Sequence, residues 1–411
     1  MKVQIKSLFV VGAAAAASAV LVIGCDQLLT TAPAEDQSFD GPIEGLTNEQ
    51  SAIFARGDEA FGEVFTFQTG LGPLFNQASC QRCHVGDGRG HPTTNLKRFG
   101  FNRGDGTFDP MTEFGGPQLQ ERSMPGYPAE EIPAGANAIS VRGGPIVVGL
   151  GLIEAIPDQA IIGRADPNDA DGDGISGRPN LIAAPEFLGL GAGPYNGNYL
   201  GRFGRKAGAI NLLQQVATAY HQDMGVTSDF LPDENHNPLV GGTGGDPVPD
   251  PEVPAATVHD VVFYLQTLRS PVRRNENDPV VLHGRQVFET IGCAKCHVPA
   301  MTTGPHAIAP LAHREIHLYS DLLLHDMGPD LADNFIEGEA SGTEWRTTPL
   351  WGLGIVETVL GGTPHYLHDG RTSDLPVVIE LHKGEANASR AAFQQLAPAD
   401  QEALIRFLKS L

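Results

Sequence analysis

The sequence predicts a mainly α-helical fold with long irregular loops, arranged as two tandem domains of the same plan. Three observations carry that expectation. The pentapeptide Cys-x-x-Cys-His occurs twice, as Cys80-Gln81-Arg82-Cys83-His84 and Cys293-Ala294-Lys295-Cys296-His297, and takes four of the five cysteines. Each copy is followed by a stretch with apolar residues at i, i+3/i+4 and i+7, over 258–268 and over 400–411, as an amphipathic closing helix requires. The 50 glycines and 31 prolines leave much of the remaining chain to loops.

The spacing within the pentapeptide has a chemical reason. Two thiols separated by two residues can each add across one vinyl group of a haem, and the adjacent histidine then sits under the iron. Cys80, Cys83, Cys293 and Cys296 are therefore the expected attachment points of two covalent c-type haems, with His84 and His297 as proximal ligands. Each domain becomes a cytochrome c-like unit around one haem. A zinc ribbon shares the cysteine spacing but needs neither histidine. A dithiol redox site needs one pair in a βαβ setting. Phe75 and Phe288, each five residues before a motif, are expected on the helix that delivers the haem loop.

The fifth cysteine speaks for the compartment. Lys2 and Lys6 precede an apolar run from Leu8 to Ile23 that ends Gly24-Cys25, the pattern of a bacterial lipoprotein signal spanning residues 1–25, cut before a lipidated Cys25. An uncleaved membrane anchor is the rival reading, and either exports the chain to face the periplasm. Residues 26–45 read as a flexible tether, 46–272 as an N-terminal domain with insertions, and 273–411 as a C-terminal domain. Arg269-Ser270-Pro271 stops the first closing helix. Acidic side chains outnumber basic ones by 49 to 27. That balance argues against nucleic acid as a partner and suits a small basic electron-donor protein.

A second repeat lies inside each half. Arg142-Gly143-Gly144-Pro145 leads to Gly149-Leu150-Gly151-Leu152-Ile153-Glu154, and Arg346-Thr347-Thr348-Pro349 to Gly352-Leu353-Gly354-Ile355-Val356-Glu357. Beside a haem, Arg142 can pair with a propionate and Glu154 can move a proton; an ordinary buried ion pair at a turn is the alternative. Asp169, Asp171 and Asp173, with Gly174 in sixth place, follow the start of a calcium loop, though Asn180 stands where a bidentate glutamate is expected; a solvated acidic turn is the other reading. The stretch from Phe230 to Pro254 reads as a surface insertion.

Gly72-Pro73-Leu74-Phe75-Asn76-Gln77-Ala78-Ser79, the run 149–157, Gly201-Arg202-Phe203-Gly204, Leu322-Leu323-Leu324-His325-Asp326-Met327-Gly328, Leu367-His368-Asp369-Gly370-Arg371 and His382-Lys383-Gly384-Glu385-Ala386 together resemble the di-haem oxidoreductase family from about residue 50 to the end. That family is similar to bacterial di-haem cytochrome c peroxidases and to the maturase of methylamine dehydrogenase. The resemblance implies that the C-terminal haem takes electrons from a small donor and passes them to the N-terminal haem on His84, where peroxide is cleaved, with Glu154 and Arg142 assisting. It implies a thioether sixth ligand for the C-terminal haem, for which Met327 is the candidate, with Met224 its counterpart if the N-terminal haem is six-coordinate. It also places His368 near the C-terminal haem, and a calcium ion between domains.

The chain departs from its relatives at two points: Thr343 stands where they carry a methionine, and Arg205 where the family shows a tryptophan, leaving Trp345 and Trp351 as the only indoles. Three functions stay open: a peroxidase, a non-catalytic di-haem electron-transfer cytochrome, and an oxidase of thiols or protein side chains.

Overall fold

Two helix crossings of the same construction set the frame. The computed structural model describes Phe39 and residues 41–239 and 245–411, which belong to one compact unit. The expected signal segment, Cys25 and residues 26–38 lie outside the described residues. The helices of nine or more residues are α1 (Asn48–Gly62), α2 (Leu212–Met224), α3 (Ala255–Thr267), α4 (Pro279–Thr290), α5 (Asn387–Gln395) and α6 (Pro398–Leu408). None of the described helices is long and apolar enough to cross a membrane.

α1 starts in a capping box: Thr47 Oγ1 accepts from the Gln50 N–H at 3.2 Å while Gln50 Oε1 accepts from the Thr47 N–H at 3.0 Å. It crosses α3 at Gly57, where a Cβ would lie 2.2 Å from the Asp260 carbonyl oxygen and 2.6 Å from Tyr264 Cβ. α4 starts at Pro279 behind an Asp278 cap. It crosses α6 at Gly284, where a Cβ would lie 2.0 Å from the Ala403 carbonyl oxygen and 2.8 Å from Phe407 Cβ. In each crossing a glycine meets a carbonyl and the aromatic residue four positions after it. One turn beyond each glycine, Phe61 and Phe288 present rings 6.2 Å from His84 and 6.4 Å from His297.

This equivalence corrects one expectation. Phe61, not Phe75, is the counterpart of Phe288; Phe75 lies in the short strand Leu74–Phe75, paired with Arg122–Ser123, because extra chain separates α1 from the first motif. The tether is also shorter than expected. Phe39 is 1% exposed in the core, and the Ile43 N–H donates to the Thr267 carbonyl at 2.7 Å.

Helices are joined by five small antiparallel sheets among the described residues, which the sequence pattern did not announce. The three-stranded one pairs Leu96–Asn102 with Phe108–Asp109 and with Ala138–Arg142. Its register sets Leu96 opposite Arg142 and Arg98 opposite Ser140, so strand alternation brings Arg98, Ser140 and Arg142 to one face. The core has two main parts. One gathers around α1–α3 and includes Trp351; the other gathers around α4 and α6.

Adding a side chain at either crossing drives it into backbone that cannot yield. Gly284→Val is expected to lower stability by more than ~2 kcal/mol and Gly57→Val likewise, whereas Gly191→Val, at a loop position with nothing within 4 Å, leaves α1 and α3 undisturbed. Thermal unfolding followed by circular dichroism checks this.

Candidate functional site

Both pentapeptides open onto one continuous cavity of about 800 Å³. Cys80, Cys83 and His84 line it at one end and Cys293, Cys296 and His297 at the other. Each motif sits on a short turn of helix, Cys80–Cys83 and Cys293–Lys295, which points its thiols into the cavity. Burial pushes the thiols of Cys80, Cys83 and Cys293 up to about 12. The two histidines are held alike: His84 Nδ1 lies 2.9 Å from the Pro145 carbonyl and His297 Nδ1 3.0 Å from the Tyr319 carbonyl. Burial pulls both imidazoles down to about 4, so they stand neutral with Nε2 available as a ligand. Gly144 is needed beside the first of them, since a Cβ there would lie 3.0 Å from His84 Cε1. The four thiols do not converge on a common point as a zinc ribbon requires; among the described residues, the ligand clusters are Cys296/Asp321/His325, Asp166/Asp169/Asp171 and Glu234/Asp250/Glu252.

The wall between the motifs is cationic. Arg98 Nη1 donates to Glu337 Oε1 at 2.9 Å and Arg142 Nη1 to Glu337 Oε2; Lys206 Nζ lies 2.9 Å from Asp333 Oδ1. Although burial works the other way, Arg142 and Arg98 hold the Glu337 carboxyl at about 2. Phe335 and Trp345 fill the space between these charges, with Arg98 5.1 Å and Arg142 5.3 Å from the Phe335 centroid and Lys206 4.5 Å from that of Trp345. Three further arginines have no carboxylate partner among the described residues. Arg205 donates to the Gly143 carbonyl and Arg346 to the Gly204 and Thr347 carbonyls, while Arg89 keeps Nε and Nη2 buried and unsatisfied. Burial pulls Arg89 and Arg346 down to about 10 and Arg205 well below its ordinary value.

Several expected site residues are placed differently. Glu154 does not line the cavity: its Oε1 accepts from the Leu212 N–H at 2.8 Å and its Oε2 from Gln266 Nε2 at 2.6 Å, so it caps the start of α2. Arg142 does line the cavity, tied to Glu337. Among the lining residues only Asp223 and Glu337 carry carboxyls, and Asp223, pushed up to about 6 by burial, accepts from Gln118 rather than from an arginine. Met224 and Met327 both line the cavity. The Met327 N–H donates to the Thr343 carbonyl, so Met327 stands across from the position where relatives carry methionine.

His368 lies in the N-terminal half rather than beside the second motif. Its carbonyl accepts from the Gly143 N–H, and its ring stacks on Trp345 at 3.8 Å. In the acidic loop the carboxylates of Asp166, Asp169 and Asp171 come within 4.8 Å of one another, whereas Asp173 turns to Lys295 at 2.9 Å. Asn180 is spent on the carbonyls of Lys206, Ala207 and Glu337. Sequence reasoning also missed a buried triad beside the second motif. His325 Nε2 meets Asp321 at 2.8 Å and Nδ1 meets Glu385 at 2.7 Å; against the desolvation that would lower it, Asp321, Cys296 and Glu385 hold the imidazole protonated, up to about 12.

Residues 135–411 match the family described as "Di-haem oxidoreductase, putative peroxidase". The chain belongs to this family. The match begins after the first pentapeptide, later than the resemblance from about residue 50 suggested. No curated protein matches the chain. Among solved structures it is similar to a chain titled Kuenenia stuttgartiensis hydrazine synthase pressurized with 20 bar xenon, at 14% identity, 93% coverage of this chain, 98% of that one and TM-score 0.37. It is also similar to a MauG-like protein associated with microbial copper homeostasis, at 14% identity, 93% and 94% coverage and TM-score 0.39.

A di-haem oxidoreductase needs two porphyrin seats, and the residues present fit them. The cavity offers thiol pairs, neutral imidazoles with Nδ1 committed to main chain, and buried guanidinium groups that lack the anions a haem's propionates bring. The ionic wall itself is testable. Glu337→Gln leaves Arg98 without its counter-charge and Arg142 with only Asp333 at 3.9 Å, at an expected cost of ~3 kcal/mol. Because the folded carboxyl sits at about 2 against an ordinary 4.5, its stabilisation is complete above pH 4.5 and is lost as pH falls toward 2. Denaturant unfolding across that window is expected to show a steeper acid loss for the wild type than for the variant.

Proposed function

We propose that this chain is an exported, lipid-anchored c-type di-haem peroxidase, built as two tandem cytochrome c-like domains, that reduces hydrogen peroxide with electrons from a small donor protein. Cys80 and Cys83 bind one haem covalently over His84, and Cys293 and Cys296 the other over His297. The observation that carries this reading is the shared cavity: both motifs line one continuous space, so the two seats are neighbours within a single protein interior. The bound haems supply the redox-active irons. Two electrons and two protons convert one peroxide to two waters.

The two ends of the cavity differ in what the protein provides. Around α4 and α6 the wall is Phe288, Leu375, Val378, Ile379, Leu404 and Leu408, suited to a haem that only stores and passes electrons. Near the first motif Gln77, Gln118, Gln222 and Asp223 add polar groups, and Asp223 is felt electrostatically by both Cys80 and Cys83. Asp223 therefore replaces Glu154 as the residue that holds and delivers a proton on the peroxide side. Arg89, Arg205 and Arg346 hold propionates. The Asp166/Asp169/Asp171 cluster supports a bound cation, calcium by its oxygen donors, next to the second motif.

A pyridine haemochrome assay is expected to give two covalent haems per exported chain, and one for the Cys80→Ala/Cys83→Ala double variant. Stopped-flow mixing of donor-reduced protein with peroxide is expected to show turnover that Asp223→Asn lowers ~10²–10⁴-fold at unchanged haem content. A doubly loaded wild type that leaves peroxide untouched would sink the peroxidase reading in favour of an electron-transfer cytochrome.

A further inference from the structure

Resting on the di-haem reading, we infer that His382 is the sixth ligand of the C-terminal haem iron, facing His297 across the ring, in place of the thioether expected from Met327. The argument starts from what an imidazole must look like before it binds a metal. A ligating histidine donates one ring N–H to a carbonyl or carboxylate, which fixes the tautomer and leaves the other nitrogen's lone pair aimed at the iron. Six histidines line the cavity: His84, His221, His297, His325, His368 and His382.

Their hydrogen bonds separate them. His221 spends Nε2 on the Asp233 carbonyl, His325 spends both nitrogens on Asp321 and Glu385, and His368 lies flat on Trp345 beside Arg371 and Asp369. His84 and His297, the histidines of the two pentapeptides, each place Nδ1 on a main-chain carbonyl. His382 does the same, with Nδ1 2.7 Å from the Val378 carbonyl, and no hydrogen bond occupies its Nε2 among the described residues. His221 leaves Nδ1 over instead, but it sits on α2 in the part of the core around α1–α3; of the lining histidines outside the pentapeptides, His382 alone places Nδ1 on a main-chain carbonyl and leaves Nε2 unengaged among the described residues.

Its place in the fold points to the second iron. His382 follows the short helix Leu375–Glu380, whose Leu375, Val378 and Ile379 line the cavity with Phe288, Leu404 and Leu408 around Cys293 and His297. His297 and His382 both line this end of the cavity. Two imidazoles that each commit Nδ1 to a main-chain carbonyl and face one cavity have no use for each other, since neither Nε2 can donate; a metal cation between them satisfies both lone pairs. Met327 runs alongside the same segment, because Gly328 packs on Lys383 and Gly384, so the thioether is the rival that the experiment must separate. Two imidazole ligands make the C-terminal iron low-spin and give it a lower potential than the His/Met pair implied by the family resemblance.

The test is spectroscopic and uses the haem-loaded full chain. Haem content by pyridine haemochrome comes first: a chain with no second haem overturns the underlying reading and this inference together. With two haems present, near-infrared magnetic circular dichroism of the oxidised wild type is expected to show a bis-imidazole charge-transfer band and no methionine-to-iron band. In low-temperature electron paramagnetic resonance, His382→Gly is expected to convert the C-terminal haem from low-spin to high-spin, added imidazole to restore it, and Met327→Leu to leave it unchanged. A methionine band that persists in Met224→Leu, or a low-spin C-terminal signal that survives in His382→Gly and is lost in Met327→Leu, overturns the assignment while leaving the di-haem reading intact. If His382→Gly does not accumulate, the wild-type and Met224→Leu spectra decide.

Discussion

Charge neutrality inside a closed space is the constraint on which this structure turns. The cavity wall is divided into a part that the protein neutralises itself and a part that it does not. Arg98, Arg142 and Lys206 are balanced by Glu337 and Asp333, with Phe335 and Trp345 packed among them. Arg89, Arg205 and Arg346 are 8%, 6% and 8% exposed and meet no carboxylate among the described residues. An unpaired buried cation costs several kcal/mol. On its own the chain is short of negative charge at this wall, and in the proposed di-haem form porphyrin propionates would supply it. Folding and cofactor loading are coupled by the same groups.

Around this interior the two halves repeat one device and differ elsewhere. The glycine crossing of α1 on α3 returns residue for residue in α4 on α6, down to the phenylalanine one turn on that backs the proximal histidine. What changes is the chain between the crossings. The N-terminal half carries extra loops and the three-stranded sheet that presents Arg98 and Arg142, whereas around α4 and α6 the wall is mainly apolar, with the His325, Asp321 and Glu385 triad grouped beside the second pentapeptide.

How much of this was legible in the sequence follows from how local each signal is. The pentapeptides were readable because covalent attachment fixes residue type and spacing at once, and the closing helices because 3.6-residue periodicity survives in α3 and α6. Strands of two or three residues carry no period to detect, so the two-stranded sheets are silent in the sequence, and the longer strands Leu96–Asn102 and Ala138–Arg142 lie among loop-forming residues that mask them. Phe75 was misassigned because an insertion broke the spacing that Phe61 keeps in space. Glu154 and Asp173 have the right chemistry, but sequence does not show that one caps α2 and the other turns to Lys295. Asp223 and Arg89 had no motif of their own to mark them, and His325 stood in the run 322–328 with nothing local to show that Asp321 and Glu385 close on it. His382 stands in the run 382–386, and only the fold brings it to the cavity that His297 also lines.

The acidic loop deserves a last consequence. Ser176 donates to Glu385 through both its hydroxyl and its main-chain N–H, Glu385 holds His325, and His325 touches the sulfur of Cys296; Asp173 meanwhile grips Lys295 inside the same pentapeptide. A segment that looks like surface decoration is thus a strut with two footholds on the turn that bears the second pentapeptide. Changes in its length or composition would be felt not as altered solubility but as a tilt of that turn, which ties the evolution of a solvent-facing loop to the aim of two buried thiols and a histidine.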